Sequence, residues 1–301
     1  MPAVKTAARA LRANTTSFVA SRRVPRSFIG ISGYDYAGWR DVFYPPDVPR
    51  RAWLAFASRV FNSVELNGTF YSLKSPPTFE RWASDTPDDD FVFAIKGGRF
   101  ITHNLKLRNC ETALANFYAS GVLALGAKTG PFLWQLPATY RFEPERIASF
   151  IRSLPRSSID AASLAELHDD RLRRGALVHS SERIAYRHAF EVRHPSYFCD
   201  EFFAILREHG CAFVIADTAG KFDYAEEVTT DFVYVRLHGS SVLYTSDYTD
   251  EELERWGRRV RGWEAAGKTV YVYFDNDAHA HAPFNAMQLA DLVESHRGPR
   301  S

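Results

Sequence analysis

HAFEVRHPSYF, residues 188–198, decides how the rest of the chain reads. It climbs through small and apolar side chains and then places Glu191, Arg193 and His194 within four positions. A strand that is apolar along its length and polar only at its C-terminal end fits a buried parallel strand that opens onto a pocket. Side chains two apart on a strand share a face. Glu191 and Arg193 are therefore expected to face the pocket together, with His194 pointing away or beginning the loop.

The same pattern recurs along the chain. Strands are expected at FIGISG (28–33), FNSVELN (61–67), FVFAIKG (91–97), GPFLWQLP (130–137), HAFEVRH (188–194), CAFVIAD (211–217), FVYVRLHG (232–239) and VYVYFDN (270–276). Helical patterns lie between them, among them 51–60, 76–86, 109–125, 144–154, 200–210 and 250–267. Strands alternating with helices in this way, over a chain near the usual 250-residue size, predict an α/β fold: a single (β/α)8 TIM-like barrel over residues 27–301. A doubly wound open sheet is the alternative. Against it, no G-x-G-x-x-G or Walker loop follows any strand.

Composition narrows the class. The chain has 301 residues, 46% hydrophobic and 24% charged, which is long enough and apolar enough for a large core. No apolar run approaches the roughly 18 to 20 residues of a membrane helix. Cys110, Cys199 and Cys211 are widely spaced and form no C-x-x-C pair, so a reducing cytoplasm without disulfides or a zinc knuckle is expected. Six basic residues and no acidic one precede Ser27, so the net +1 of the whole leaves the rest at −5. A mildly acidic body disfavours nucleic acid as a partner. Residues 1–26 read as a basic, disordered extension, with organellar import as the alternative.

The strand ends gather the chemistry: Ser32, Glu65 with Asn67, Lys96, Gln135, Glu191 with Arg193, Asp217, Arg236 with His238, and Asn276. Burying an unpaired charge costs several kcal/mol, so eight strands turning polar at one end point to a pocket floor. A mutually neutralising network is the plainer reading, with Lys96, Arg193 and Arg236 balancing Glu65, Glu191 and Asp217.

For chemistry, Lys96, Arg193 and Arg236 are suited to a phosphate or carboxylate. Glu191 or Glu65 serves as general base and His103 or His238 as general acid. Asn67, Tyr71, Gln135, Asp217 and Asn276 complete the expected contacts to a small anionic, hydroxyl-bearing substrate. A cationic neighbourhood would also lower the pKa of Lys96 toward imine chemistry, although a strand-end lysine is more often an anion ligand. No cofactor is expected. Glu65, Glu191, Asp217 and His238 are of the right type for a divalent ion, but the three cations beside them oppose one. His279 and His281 follow the last strand and are read as decorating a surface turn. Aromatic residues crowd the loops, among them Tyr34, Tyr36, Trp39, Tyr44, Tyr197, Tyr244 and Tyr248; most are expected to pack the loops down, and a few to line a ligand. Two further readings stand beside the acid/base enzyme: a metal-dependent nucleic-acid phosphodiesterase and a non-catalytic ligand-binding barrel.

The stretches GISGYDYAGWRDVFYP (30–45), FNSVELNGTFY (61–71), FVFAIKGGRFITHNLKL (91–107), FLWQLP (132–137), FEVRHPSY (190–197), YVRLHG (234–239) and VYFDNDAHAHAPFNA (272–286) resemble the YecE-like family, domain of unknown function seventy-two. The resemblance runs from about Phe28 to Val293 with the motifs in the family's order. It implies a TIM-like barrel and a pocket, and it implies no particular reaction. Two positions depart from the family pattern. Tyr34 stands where a Trp is usual, which keeps an aromatic wall. DNDAHAHA replaces a second Asn and a Gly-containing turn, which alters the final loop.

Overall fold

The computed structural model describes residues 27–295, so the basic stretch 1–26 lies outside the described residues. Eight strands form where the apolar runs lie: β1 (Ser27–Ser32), β2 (Ser63–Leu66), β3 (Val92–Lys96), β4 (Thr129–Gln135), β5 (His188–Glu191), β6 (Ala212–Asp217), β7 (Phe232–Leu237) and β8 (Thr269–Phe274). Every neighbouring pair is parallel, and β8 closes onto β1 through Ser27↔Val270 to Ile31↔Phe274. The fold is the (β/α)8 barrel that the alternation predicts.

Alternate residues of each strand face the axis. Phe28, Ala94, Leu133, Ala189, Val214, Phe232, Tyr234, Tyr271 and Tyr273 pack together inside the barrel. The opposite parity, including Ile29, Val64, Phe132, Trp134, Phe213 and Val272, packs under the surrounding helices in a larger cluster. One step beyond the inner apolar layer, the same parity arrives at Ser32, Glu65, Lys96, Gln135, Glu191 and Arg236, all buried.

The helices are α1 (Trp53–Val60), α2 (Gly68–Tyr71), α3 (Pro76–Ser84), α4 (Glu111–Ala119), α5 (Pro144–Ser153), α6 (Ser158–Ala165), α7 (Asp200–Glu208), α8 (Asp250–Ala265) and α9 (His281–Glu294). Proline opens α3 and α5, where its missing N–H has no helical partner to lose. Thr249 and Glu252 close α8 with a capping box. Two expectations change. The helix over 109–125 breaks at Gly121, whose φ is 120° and whose added Cβ would lie 2.6 Å from Pro76 Cα; a 3-10 helix follows (Val122–Lys128). His279 lies exposed in the turn after the last strand, as expected, whereas His281 begins α9; α2, α6 and α9 lie outside the helical ranges named above.

Strands also end earlier than predicted. β5 stops at Glu191; beyond it Pro195 holds His194 extended, and the His194 ring accepts from Ser196 N–H at 3.1 Å. Arg193, His238, Asn67 and Asn276 therefore sit just past their strands, on the loops that form the barrel mouth.

Candidate active site

Arg236 projects inward from β7, fully buried, and every guanidinium nitrogen is used. Nη2 donates to Glu65 Oε1 at 2.8 Å, to Asp275 Oδ2 at 2.9 Å and to Ser32 Oγ at 2.9 Å. Nη1 donates to Glu191 Oε2 at 2.7 Å and Nε to Glu65 Oε2 at 3.1 Å. Glu65 also accepts from Tyr234 and Ser32, each at 2.5 Å. Arg193 reaches Glu191 Oε1 through Nε and Nη2, and His238 Nδ1 lies 2.9 Å from Asp275 Oδ2. Burial alone would raise the pKa values of Glu191 and Asp275. Arg236, together with the other positive and hydrogen-bonding groups around them, outweighs it, and both carboxyls are held well below the usual carboxylate range.

Above this floor lies a cavity of about 880 Å³, with charge divided across it. Lys74, Arg81, Lys96 and Arg99 line the side built by β2, β3 and their loops, with Glu65 of β2 at its base; Asp275, Asp277 and Asp35 line the side built by β8 and β1. Among the described residues, none of these four cations has a carboxylate within ion-pair distance. Lys96 instead sets its Nζ 4.8 Å from the centroid of the Phe70 ring. Burial, then the neighbouring Arg236 charge, push the Lys96 pKa down.

Two further groups in the cavity titrate unusually. Burial, then the charges of Arg99 and Lys96, lower His103 to about 4, so its imidazole is neutral at pH 7. Thr102 Oγ1 lies 2.9 Å from His103 Nδ1 and fixes the ring. Burial, then Asp275, raise Asp277 to about 6. The Asp277 backbone carbonyl accepts from Trp39 Nε1 at 2.9 Å, which anchors the last loop against the first. Tyr244, at a left-handed φ of 63°, accepts from Arg193 at 3.2 Å and closes the far rim.

The family model described as "Protein of unknown function DUF72" matches residues 28–300. The chain belongs to the DUF72 family. It is 22% identical over 296 residues to the UPF0759 protein YunF of Bacillus subtilis (strain 168), a match covering 89% of this chain and 94% of YunF. Its similarity to the UPF0759 protein YecE of Escherichia coli (strain K12) is 37% identity over 101 residues, which spans only 36% of YecE and 33% of this chain. Among solved structures, the DUF72 protein TM1631 of Thermotoga maritima superposes with a TM-score of 0.69 at 24% identity, covering 89% of this chain and 99% of that one. At that identity it is the barrel that is shared.

Within this DUF72 barrel the predicted residues divide three ways. Glu65, Asn67, Tyr71, Lys96, His103, Gln135 and Arg193 line the cavity. Glu191, Arg236 and His238 lie beneath the lining, so Arg236 is not free to hold a substrate anion: its guanidinium is engaged by three carboxylates. Asp217 and Asn276 belong elsewhere. Asp217 has the outward parity of Phe213 and Ile215, and opens to a separate crevice of about 210 Å³ where Tyr248 donates to it at 3.1 Å. Asn276 donates to Ser246 O and Asn285 Oδ1, tying loops together. With its pKa lowered, His103 is suited at pH 7 to accept a proton or to donate a neutral hydrogen bond.

Asp275, Asp277 and Arg99, with Lys74, Arg81 and Asp35, are the cavity charges sequence reasoning missed. Both faces of VYVYF are apolar or aromatic, so the alternation gives no parity, and Asn276 was chosen one position out of register. Counting on from inward Tyr271 and Tyr273 would have found both aspartates. Of the loop aromatics, Trp39, Tyr44, Tyr197 and Tyr248 are buried in packing, while Tyr34, Tyr36, Phe70, Tyr71 and Tyr244 line the cavity.

Proposed function

We propose that the barrel mouth binds a small anionic, hydroxyl-bearing molecule and acts on it by acid/base catalysis. The observation that carries this reading is the row of cations, Lys74, Arg81, Lys96 and Arg99, which line the cavity without a carboxylate partner among the described residues. Cations brought together without direct ion-pair partners repel one another, and a bound anion relieves that repulsion. Arg99 supplies a fork for a phosphate or carboxylate, with Arg193 across the cavity. The far end of such a ligand then meets Asp277, a carboxyl whose pKa is raised to about 6, while His103, a neutral base, stands beside the cations. Tyr34, Tyr71 and Gln135 offer polar contacts to its hydroxyls.

The test is a thermal-shift titration with inorganic phosphate, glycerol 3-phosphate and a neutral polyol, on wild type and Arg99→Ala. A ligand at about 100 times its dissociation constant adds roughly 2.7 kcal/mol to stability. We expect shifts from the two anions that weaken in Arg99→Ala, and none from the polyol. Equal shifts from the polyol, or anion shifts indifferent to Arg99, would overturn the reading. Arg236 is unsuitable as the test variant, because its removal strands three buried carboxylates.

A further inference from the structure

We infer that Lys96 is a covalent nucleophile, forming an imine with an aldehyde or ketone carbonyl of the bound anion. This rests on the pocket reading above and narrows its substrate class to small anionic carbonyl compounds.

The geometry is specific to this lysine. Lys96 ends β3, is 8% exposed and faces the cavity. The carboxylates of the floor are drawn to Arg236, which leaves Lys96 with an aromatic ring face and no ion pair among the described residues. Burying an ammonium without a direct carboxylate partner is costly, whereas burying the neutral amine is not, so burial shifts Lys96 toward the nucleophilic form. The downward direction of its pKa agrees. Three other lysines are tied to polar partners: Lys128 to the Thr86 and Ala83 carbonyls, Lys268 to Thr230 O and Lys74 to Ser72 Oγ; Lys221 lies 5.9 Å from the Phe222 ring but, like Lys106, does not line the cavity.

The chemistry balances with groups in the cavity. The Nζ lone pair attacks the carbonyl carbon, and the C=O π pair moves onto oxygen. A proton passes from nitrogen to that oxygen, giving a carbinolamine. The nitrogen lone pair then forms C=N as the hydroxyl, protonated once more, departs as water. His103 and Asp277 line the same cavity and serve to carry these protons. Nothing is oxidised or reduced. Arg99 and Arg193 remain to hold the anionic end.

The experiment treats the full chain near pH 7 with sodium cyanoborohydride and one of three probes: D-glyceraldehyde 3-phosphate, D-glyceraldehyde or glycerol 3-phosphate. Intact mass and peptide mapping then locate any reduced adduct in wild type, Lys96→Met and Lys96→Arg. A lowered pKa leaves more neutral amine on Lys96 than on surface lysines, and binding adds to that selectivity. We expect a single adduct from D-glyceraldehyde 3-phosphate on the Lys96 peptide, formed at least tenfold faster than on other lysines, absent from both variants and slowed by glycerol 3-phosphate. Labelling spread over the lysines, centred on Lys74 or undiminished in Lys96→Met would overturn the inference. Should either variant fail to fold, the wild-type peptide map decides alone. Absent labelling together with a glycerol 3-phosphate thermal shift would sink the imine and leave the anion pocket standing. Selective labelling of Lys96 by D-glyceraldehyde with no anion-induced shift would do the reverse.

Discussion

His103 is uncharged at neutral pH because protonating it would place a further cation beside Arg99 and Lys96 in a partly buried position. Its folded pKa, about 4, lies below the unfolded value, so the folded state resists protonation and stability falls as pH drops from about 6.5 toward 4. An anion bound by those cations would cancel part of their field. We predict that saturating phosphate raises the His103 midpoint in a two-dimensional NMR titration by about one unit; an unmoved midpoint would mean that phosphate binds elsewhere. Asp277 runs the other way. With its folded pKa raised to about 6, the folded state holds the proton more tightly, and stability falls as pH rises from about 4 to about 6. Asp277→Asn removes that fall. Urea melts should find the variant more stable than wild type at pH 8 by about 1 kcal/mol, allowing for partial exposure, and level with it at pH 4.

At the scale of elements, the distance between β1 and β2 sets the floor. Gly30 lies against β2 so closely that an added Cβ would sit 1.9 Å from the Ser63 carbonyl oxygen, which is backbone and has no rotamer to escape into. That approach keeps Ser32 beside Glu65 in the register Ser32↔Glu65. Gly30→Ala should cost about 3 kcal/mol in urea unfolding through overpacking. Because the shift moves Glu65 relative to Arg236, anion-induced thermal shifts should weaken as well. A stable Gly30→Ala protein would mean that β1 can move without disturbing the floor. Loops are held with similar economy. Thr69 Oγ1 donates to both Leu66 O and Lys96 O, so α2 and the end of β3 are fixed to each other, and Phe70 is held over Lys96.

Over the whole molecule, Arg236 joins β7 to β2, β5 and the end of β8. Removing one partner from a buried ionic network is far costlier than its net contribution implies, because the remaining charges stay buried and unpaired. Arg236→Met should lose about 3–5 kcal/mol at pH 7. The deficit should shrink in acid, since protonating Glu191 and Asp275 removes stranded charge. For wild type the sign is opposite. Glu191 and Asp275 have folded pKa values below the unfolded ones, so their stabilisation is full above the ordinary carboxylate range and is lost as pH falls through and well below it. Thermal melts of both proteins at pH 4 and pH 7 check this; a deficit independent of pH would mean that packing, not charge, is what Arg236 supplies.

The sequence by itself determined the barrel, the strand that carries each polar end, and the membership of Glu65, Asn67, Lys96, Gln135 and Arg193 in one pocket. Those are local properties: an apolar run, a polar terminus and a period of two are written in neighbouring residues. Only the tertiary structure decided which charges meet. Glu65 and Arg236 are 171 positions apart, and nothing near either one says that Arg236 takes three carboxylates while Lys96 takes none. Nor could local reading distinguish Asp275 from Asn276 or turn Asp217 outward, because strands covered on both faces lose the alternation that records direction. Pairing across a closed barrel is set by the closure itself, and so the division between a neutralised floor and an open cationic wall appears only once the eighth strand meets the first.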